Sequence, residues 1–464
     1  MIFPEQLLAY VKLHRQMVFA GLISLACYVF LALNSQSYGE LKLNELLFAS
    51  LSCAILSILT CRHYAKRSGN AFPVLLMLIF SLAFRLIGIN TFPILEDDFY
   101  RFLWDGRMTI EMGTPYGWIP ANFFNDISIN DHFELILSGI NHPDVATIYG
   151  PVAQTTFALA YLIAPGEIWP IQSLYALIDF AIILLLLRLA KPHFVLLYAW
   201  SPLILKEFTI SAHPDVFGAF FLMLAFYIYS KKIKYAWVYL PVCLALATGV
   251  KVFALIAVPL FLRFQWRSWC VWFTSLFALS VPFFSGNKLN SNLSELSNNA
   301  DGLLAQLKSI WFPDSLQVMS DNWLFNAPIY YATQHIMPFP ATKGLLLSLF
   351  AISAATYFFY LYVKRQTLPL RLDYLYGLFF ICIPVLNPWY LVWMLPFAVI
   401  YPSRWAWTAS VTAFLAYVTG INIANSELAL YQHSSVILTI EYGLIVIALL
   451  IDWRKKHQSI LFSQ

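Results

Sequence analysis

Residues 73–98 read PVLLMLIFSLAFRLIGINTFPILEDD. A nearly unbroken apolar run over 73–92, interrupted by one cation at Arg85, ends against three consecutive acids, Glu96, Asp97 and Asp98. A run of that length crosses a bilayer as a helix. Three adjacent carboxylates repel one another, so holding them at a bilayer boundary is costly unless a cation, a proton or a helix N-terminus offsets the charge. The stretch reads as a span that delivers carboxylates to the membrane surface.

The rest of the chain agrees. Of 464 residues, 60% are apolar and 11% charged, against about 45–50% and about 25% in soluble domains. A water-soluble fold is excluded by that imbalance. Cut into segments of about 20 residues, the apolar excess predicts an all-α polytopic membrane protein. It would be a bundle of about 11–14 transmembrane helices whose extracytoplasmic loops carry short interfacial helices. Several runs, among them 149–164, 194–209, 251–263 and 389–402, are too short for a full span and predict broken or re-entrant helices. The net charge of +4 gives no support to nucleic-acid binding, and membrane lipids are the expected surroundings. Cys27, Cys53, Cys61, Cys243, Cys270 and Cys382 lack the close spacing of a metal or redox motif and read as small core residues. No cleavage-site pattern follows the first apolar run, so residue 1 is expected to be retained.

Five regions follow from composition: N-terminal spans (1–92), a first extracytoplasmic loop (93–148), a core with broken helices (149–285), a second extracytoplasmic loop (286–342) and C-terminal spans (343–464). The first loop holds nine acids and two arginines, whereas basic residues cluster in short connections, such as Lys231, Lys232 and Lys234. The positive-inside rule places those connections in the cytoplasm and the acidic loop on the far face. All basic clusters fall inside if 149–164 dips into the membrane and returns. In the second loop, LLAQLKSIWF has helical apolar spacing and predicts a helix on the membrane surface.

From Asp98 onward, helical spacing puts Phe99, Phe102 and Leu103 on one stripe and Asp98, Arg101 and Asp105 on another. The acids also suit the N-terminus of a surface helix. Beyond them lie Ile140-Asn-His-Pro-Asp144, with Asn141, His142 and Asp144, and Thr147-Ile-Tyr-Gly-Pro151, with Tyr149. Such side chains hold sugar hydroxyls and also cap turns. Ser211-Ala-His-Pro-Asp215 supplies His213 and Asp215, and Gly249-Val-Lys251 puts a lone lysine between apolar half-segments. A lysine there serves a function, pairs, or snorkels to the interface. Arg85 reads as one half of a structural ion pair. Asn387, Trp389 and Tyr390 sit at a helix break. Walker, H-E-x-x-H and G-x-S-x-G motifs are lacking.

In this order, over roughly residues 73–400, these motifs resemble the bacterial polyprenyl-phosphate-sugar-dependent glycosyltransferases of the GT-C superfamily. More distantly, they resemble the mannosyltransferase that adds the first mannose in GPI-anchor synthesis. The resemblance implies a GT-C-like bundle in the bacterial inner membrane. Its extracytoplasmic active site would invert the anomeric carbon of a lipid-phosphate sugar, with a glycan or lipid as acceptor and mannose as the family-weighted sugar. The family's Asp-x-Asp-like pattern falls on adjacent acids here, leaving open which is the base; Asp97 is assigned first and Asp98 second. Arg101 and Lys251 would offset the donor phosphate. Glu96, Asp105, Asn141, His142, Asp144, Tyr149, His213, Asp215, Asn387, Trp389 and Tyr390 would contact substrate. A monophosphate leaving group does not require a divalent metal, and no essential cofactor is expected. A lipid or oligosaccharide transporter or flippase is the alternative.

Overall fold

The computed structural model describes the backbone of residues 10–36, 42–66, 72–284, 300–364, 370–423 and 427–461. Among these residues the fold is all-helical, with one isolated parallel bridge between Phe325 and Val385. The Asn/Ser-rich stretch of the second loop lies largely outside them, but its LLAQLKSIWF portion falls in the helix Ala300–Trp311.

Among the described residues, five helices are long and apolar enough to cross a membrane: Arg15–Leu33, Leu43–Lys66, Trp169–Leu186, Phe339–Val363 and Ser435–Arg454. A sixth results if Pro202–Ile210 and Asp215–Lys231 form one bent span. Among the described residues five or six of the expected 11–14 spans meet that length, and proline and tight turns divide several of the remaining apolar runs. The run 194–209 becomes Pro192–Ala199 and a π-helical turn, Leu205–Ile210. The run 251–263 becomes a 3-10 turn, Val252–Ile256, and the short helix Val258–Leu262. Proline lacks the N–H that would continue a helix through its position. Val74–Gly88, Pro151–Ile163, Ala236–Thr248 and Leu372–Cys382 are shorter apolar helices.

Only 11% of the Phe339–Val363 window is buried within the protein, and Leu345, Leu349, Ile352 and Phe359 stand exposed along it. An apolar surface that size is costly in water and costs nothing against lipid tails. This is an all-α membrane protein. Cys53, Cys61, Cys243 and Cys382 are buried, Cys27 is half-buried, and Cys270 is exposed, so the core reading of the cysteines does not extend to Cys270.

Two compact units interleave along the chain. The first comprises Met1–Leu95, Asp179–Ser211 and Asn387–Gln464; the second comprises Glu96–Ile178 and Ala212–Leu386. Within the first, Trp200 packs edge-on against Phe80 and Phe84, each 5.6 Å away between ring centres. Beside this cluster Arg85 donates from Nε to Asp179 at 2.8 Å and from Nη1 to the carbonyls of Ser81 and Ala199. Tyr198 donates its hydroxyl to the same carboxylate at 2.8 Å. The pair expected at Arg85 is thus present and sealed, at 2% and 0% side-chain exposure.

Within the second unit, the helix Asp98–Glu111 lies against Pro151–Ile163. The contact is close because Gly106 has no Cβ: one placed there would sit 2.5 Å from the Phe157 carbonyl oxygen. Phe102 stacks on Phe157 with ring centres 4.8 Å apart. Phe99, Phe102 and Leu103 are buried, as their spacing predicts, but the opposite stripe is buried too: Arg101 is 8% exposed and Asp105 2%. Burial of an arginine and an aspartate is tolerable because they satisfy each other.

Candidate active site

The acids of the second unit enter the helix Asp98–Glu111 at its first turn. Asp97 occupies the N-cap position, yet its side chain makes no capping hydrogen bond. Both carboxylates instead face the segment 141–149. Asn141 donates through Nδ2 to Asp97 at 2.7 Å and to Asp98 at 3.2 Å, and the Tyr149 hydroxyl donates to the other oxygen of Asp98 at 3.2 Å. The capping reading of these acids does not describe their side chains.

A second network fixes that segment. Arg101 donates from Nε to Asp105 at 3.0 Å and from Nη2 to the Val145 carbonyl at 3.0 Å. Gln154 donates to the second oxygen of Asp105 and to the Thr147 hydroxyl, both at 2.9 Å. Arg101 and Asp105 therefore brace the loop, with the guanidinium engaged inside the protein. The sequence reading passed over Gln154; its signal is an amide side chain, 0% exposed, in a mostly apolar helix.

Lysine arrives by a backbone contact between two motifs. Gly150 N donates to the Val250 carbonyl at 3.3 Å, and Val152 N donates to that of Gly249 at 2.8 Å. A Cβ on Gly150 would collide with the Gly249 carbonyl, so glycine is required for Tyr149 and Lys251 to approach the acids together. Lys251 Nζ lies 3.2 Å from Asp215 Oδ2, and its charge acts on Asp98 as well. Asp215 is fully buried, like His213, whose imidazole lies edge-on to Phe102 with ring centres 6.0 Å apart.

Electrostatics follow from these contacts. Burial and the neighbouring Asp98 charge push the Asp97 carboxyl up to about 6, against a smaller lowering by the Asn141 hydrogen bond. Asp98 is also raised by burial, opposed by Asn141, Lys251, Tyr149 and His142. His142 is lowered by burial despite the charges of Asp144 and Asp98, which favours the neutral imidazole. One carboxylate poised near neutrality beside a second held by four hydrogen-bonding or charged groups suits proton abstraction.

Asp144 is exposed, and Glu96 is buried next to the two aspartates. One ligand atom from each of Glu96, Asp97 and Asp98 lies within 4.8 Å of the others, a spacing a divalent cation can bridge. Asn387, Trp389 and Tyr390 belong to the first unit, where both rings are buried in the 3-10 turn Pro388–Trp393. The structure thus brings together Glu96, Asp97, Asp98, Asn141, Tyr149, Lys251 and Asp215, with Arg101 and Asp105 behind them. The chain matches no protein-family model, no curated protein and no solved structure.

Proposed function

We propose that the chain is a membrane-embedded inverting glycosyltransferase of GT-C type. It moves a sugar, mannose by the weight of the sequence resemblance, from a polyprenyl-phosphate donor to a glycan or lipid acceptor. The extracytoplasmic face of a bacterial inner membrane is the proposed setting. One observation carries the reading: Asp97 and Asp98 are held side by side by the neutral donors Asn141 and Tyr149, with Lys251 in electrostatic range of Asp98.

A sugar hydroxyl is a weak nucleophile at neutral pH. Asp97 accepts its proton as the oxygen attacks the anomeric carbon; the bond from that carbon to the phosphate oxygen breaks, and polyprenyl phosphate departs with the electron pair. A positioned base contributes roughly 10²–10⁴-fold to such a step. Lys251, sharing its charge with Asp215, offsets the charge developing on the phosphate. Arg101, engaged with Asp105 and Val145, acts by holding the 141–149 segment, so the phosphate falls to Lys251.

Purified protein incubated with a panel of polyprenyl-phosphate sugars is expected to release polyprenyl phosphate with at least one of them and to form a new glycosidic bond. No release from any donor would overturn the reading. A transporter or flippase is the second reading, favoured by Lys206 and Glu207, buried on the π-helical turn and both bonded to the Tyr417 hydroxyl. Charged residues buried within membrane proteins mark transport paths in many cases. Movement of a labelled lipid-sugar across the bilayer without a new bond would establish it.

A further inference from the structure

Trp323 follows the helix Asp314–Asn322, far in sequence from the acids, and its indole lies on the His142 imidazole with ring centres 4.0 Å apart and planes 30° from parallel. Both partners are held from behind. Trp323 N donates to the Met319 carbonyl at 3.1 Å, closing the helix. Two residues on, Phe325 N donates to Pro384 at 3.0 Å and its carbonyl accepts from Leu386 N at 2.9 Å, the bridge noted above. The next residue, Asn326, is buried with φ 47°, which fixes the course of the chain.

His142 is held in a left-handed conformation, φ 51°. That geometry costs a non-glycine residue about 1 kcal/mol or more, and it persists where surrounding contacts over-determine it, commonly at binding sites. Here the preceding residue, Asn141, is bonded to both aspartates, and Val145 is bonded to Arg101. In this conformation the residue that follows the acids' hydrogen-bonding partner has its imidazole against the indole. Trp323 itself is only half-buried.

An aromatic surface stacked on a histidine that lies in electrostatic range of Asp98 matches the two-sided chemistry of a pyranose. The C–H face of such a ring packs on aromatic carbons, and its hydroxyls bond to carboxylates and amides. Sugars that differ at one carbon present different C–H faces, so an aromatic wall also selects among them. We propose that Trp323, stacked on His142, is a specificity-determining residue that receives the C–H face of the donor's pyranose ring. The inference rests on the glycosyltransferase reading above and extends it to a residue from the second extracytoplasmic loop.

The test uses the full chain in lipid nanodiscs, with polyprenyl-phosphate mannose, glucose and galactose as probes and release of polyprenyl phosphate as the readout. Wild type, Trp323→Phe and Trp323→Leu are compared in KM and kcat for each donor. Loss of aromatic surface is expected to raise KM about tenfold in the Leu variant and about threefold in the Phe variant, with kcat within about twofold. The ratio of kcat/KM between the best and next-best sugar should shrink in the same order. The Phe variant carries the test should the Leu variant not fold. Wild-type KM and wild-type sugar ratios in a folded variant overturn the proposal and leave the glycosyltransferase reading intact, as does a fall in kcat alone. An inactive wild type across all three donors overturns both.

Discussion

Arg85–Asp179 in the first unit and Asp97–Asp98 in the second both take carboxylates away from water, and they resolve the cost in opposite ways. Asp179 meets a guanidinium and a phenol, the guanidinium's other bonds go to backbone carbonyls, and the charges cancel behind a sealed surface. Asp97 and Asp98 meet an amide and a phenol, stay partly open, and retain excess negative charge only distantly offset by Lys251. A carboxylate neutralised one-to-one serves the architecture. A pair taken from water and left under-compensated is raised towards neutral pH and can take a proton.

The largest expected effect sharpens the second half of that contrast. Asp97→Asn with Asp98→Asn removes the proposed base and its neighbour's repulsion, so the proposed sugar transfer should fall roughly 10²–10⁴-fold while thermal unfolding in detergent stays at or above the wild-type temperature. The reverse is expected of Arg85→Met, which leaves Asp179 buried without its cation: about 3–5 kcal/mol of stability should be lost, and the folded fraction should transfer sugar normally. Adding Asp179→Leu should restore most of that stability. Gly150→Ala probes the backbone contact that brings Tyr149 and Lys251 to the acids. Its Cβ meets the Gly249 carbonyl, and a displacement of about 1 Å can cost up to ~10²-fold in rate, so kcat/KM should drop on the order of tenfold to a hundredfold. Lys251→Met, made together with Asp215→Asn so that no buried carboxylate is stranded, should raise donor KM about tenfold with a smaller change in kcat.

The adjacent acids, the apolar stripe of Phe99, Phe102 and Leu103, and a partner for Arg85 were legible because each depends on local spacing or on the cost of one misplaced charge. The points at which helices break were not. Apolar runs record how much lipid or core a segment meets, whereas Pro202, Pro259 and Pro388 decide where a helix within such a run stops. Arg101 read as a donor-phosphate ligand alongside the family resemblance. Its bond to the Val145 carbonyl depends on where that segment returns in space, which no local pattern encodes. The meeting of Tyr-Gly-Pro with Gly-Val-Lys has the same origin, since the two glycines signal a close approach without naming its partner. Trp323 gave no signal at all among so many aromatic residues.

The protonation of the paired acids tests the account most directly, through the pH dependence of kcat/KM for donor turnover. A base acts when ionised, and the Asp97 carboxyl is pushed up to about 6, so the rate should climb with rising pH through a midpoint near that value. In Asp98→Asn the neighbouring charge is gone, and the midpoint of the residual activity should move to lower pH. A wild-type profile that is flat between about pH 5 and 8, or a midpoint untouched by Asp98→Asn, would contradict it.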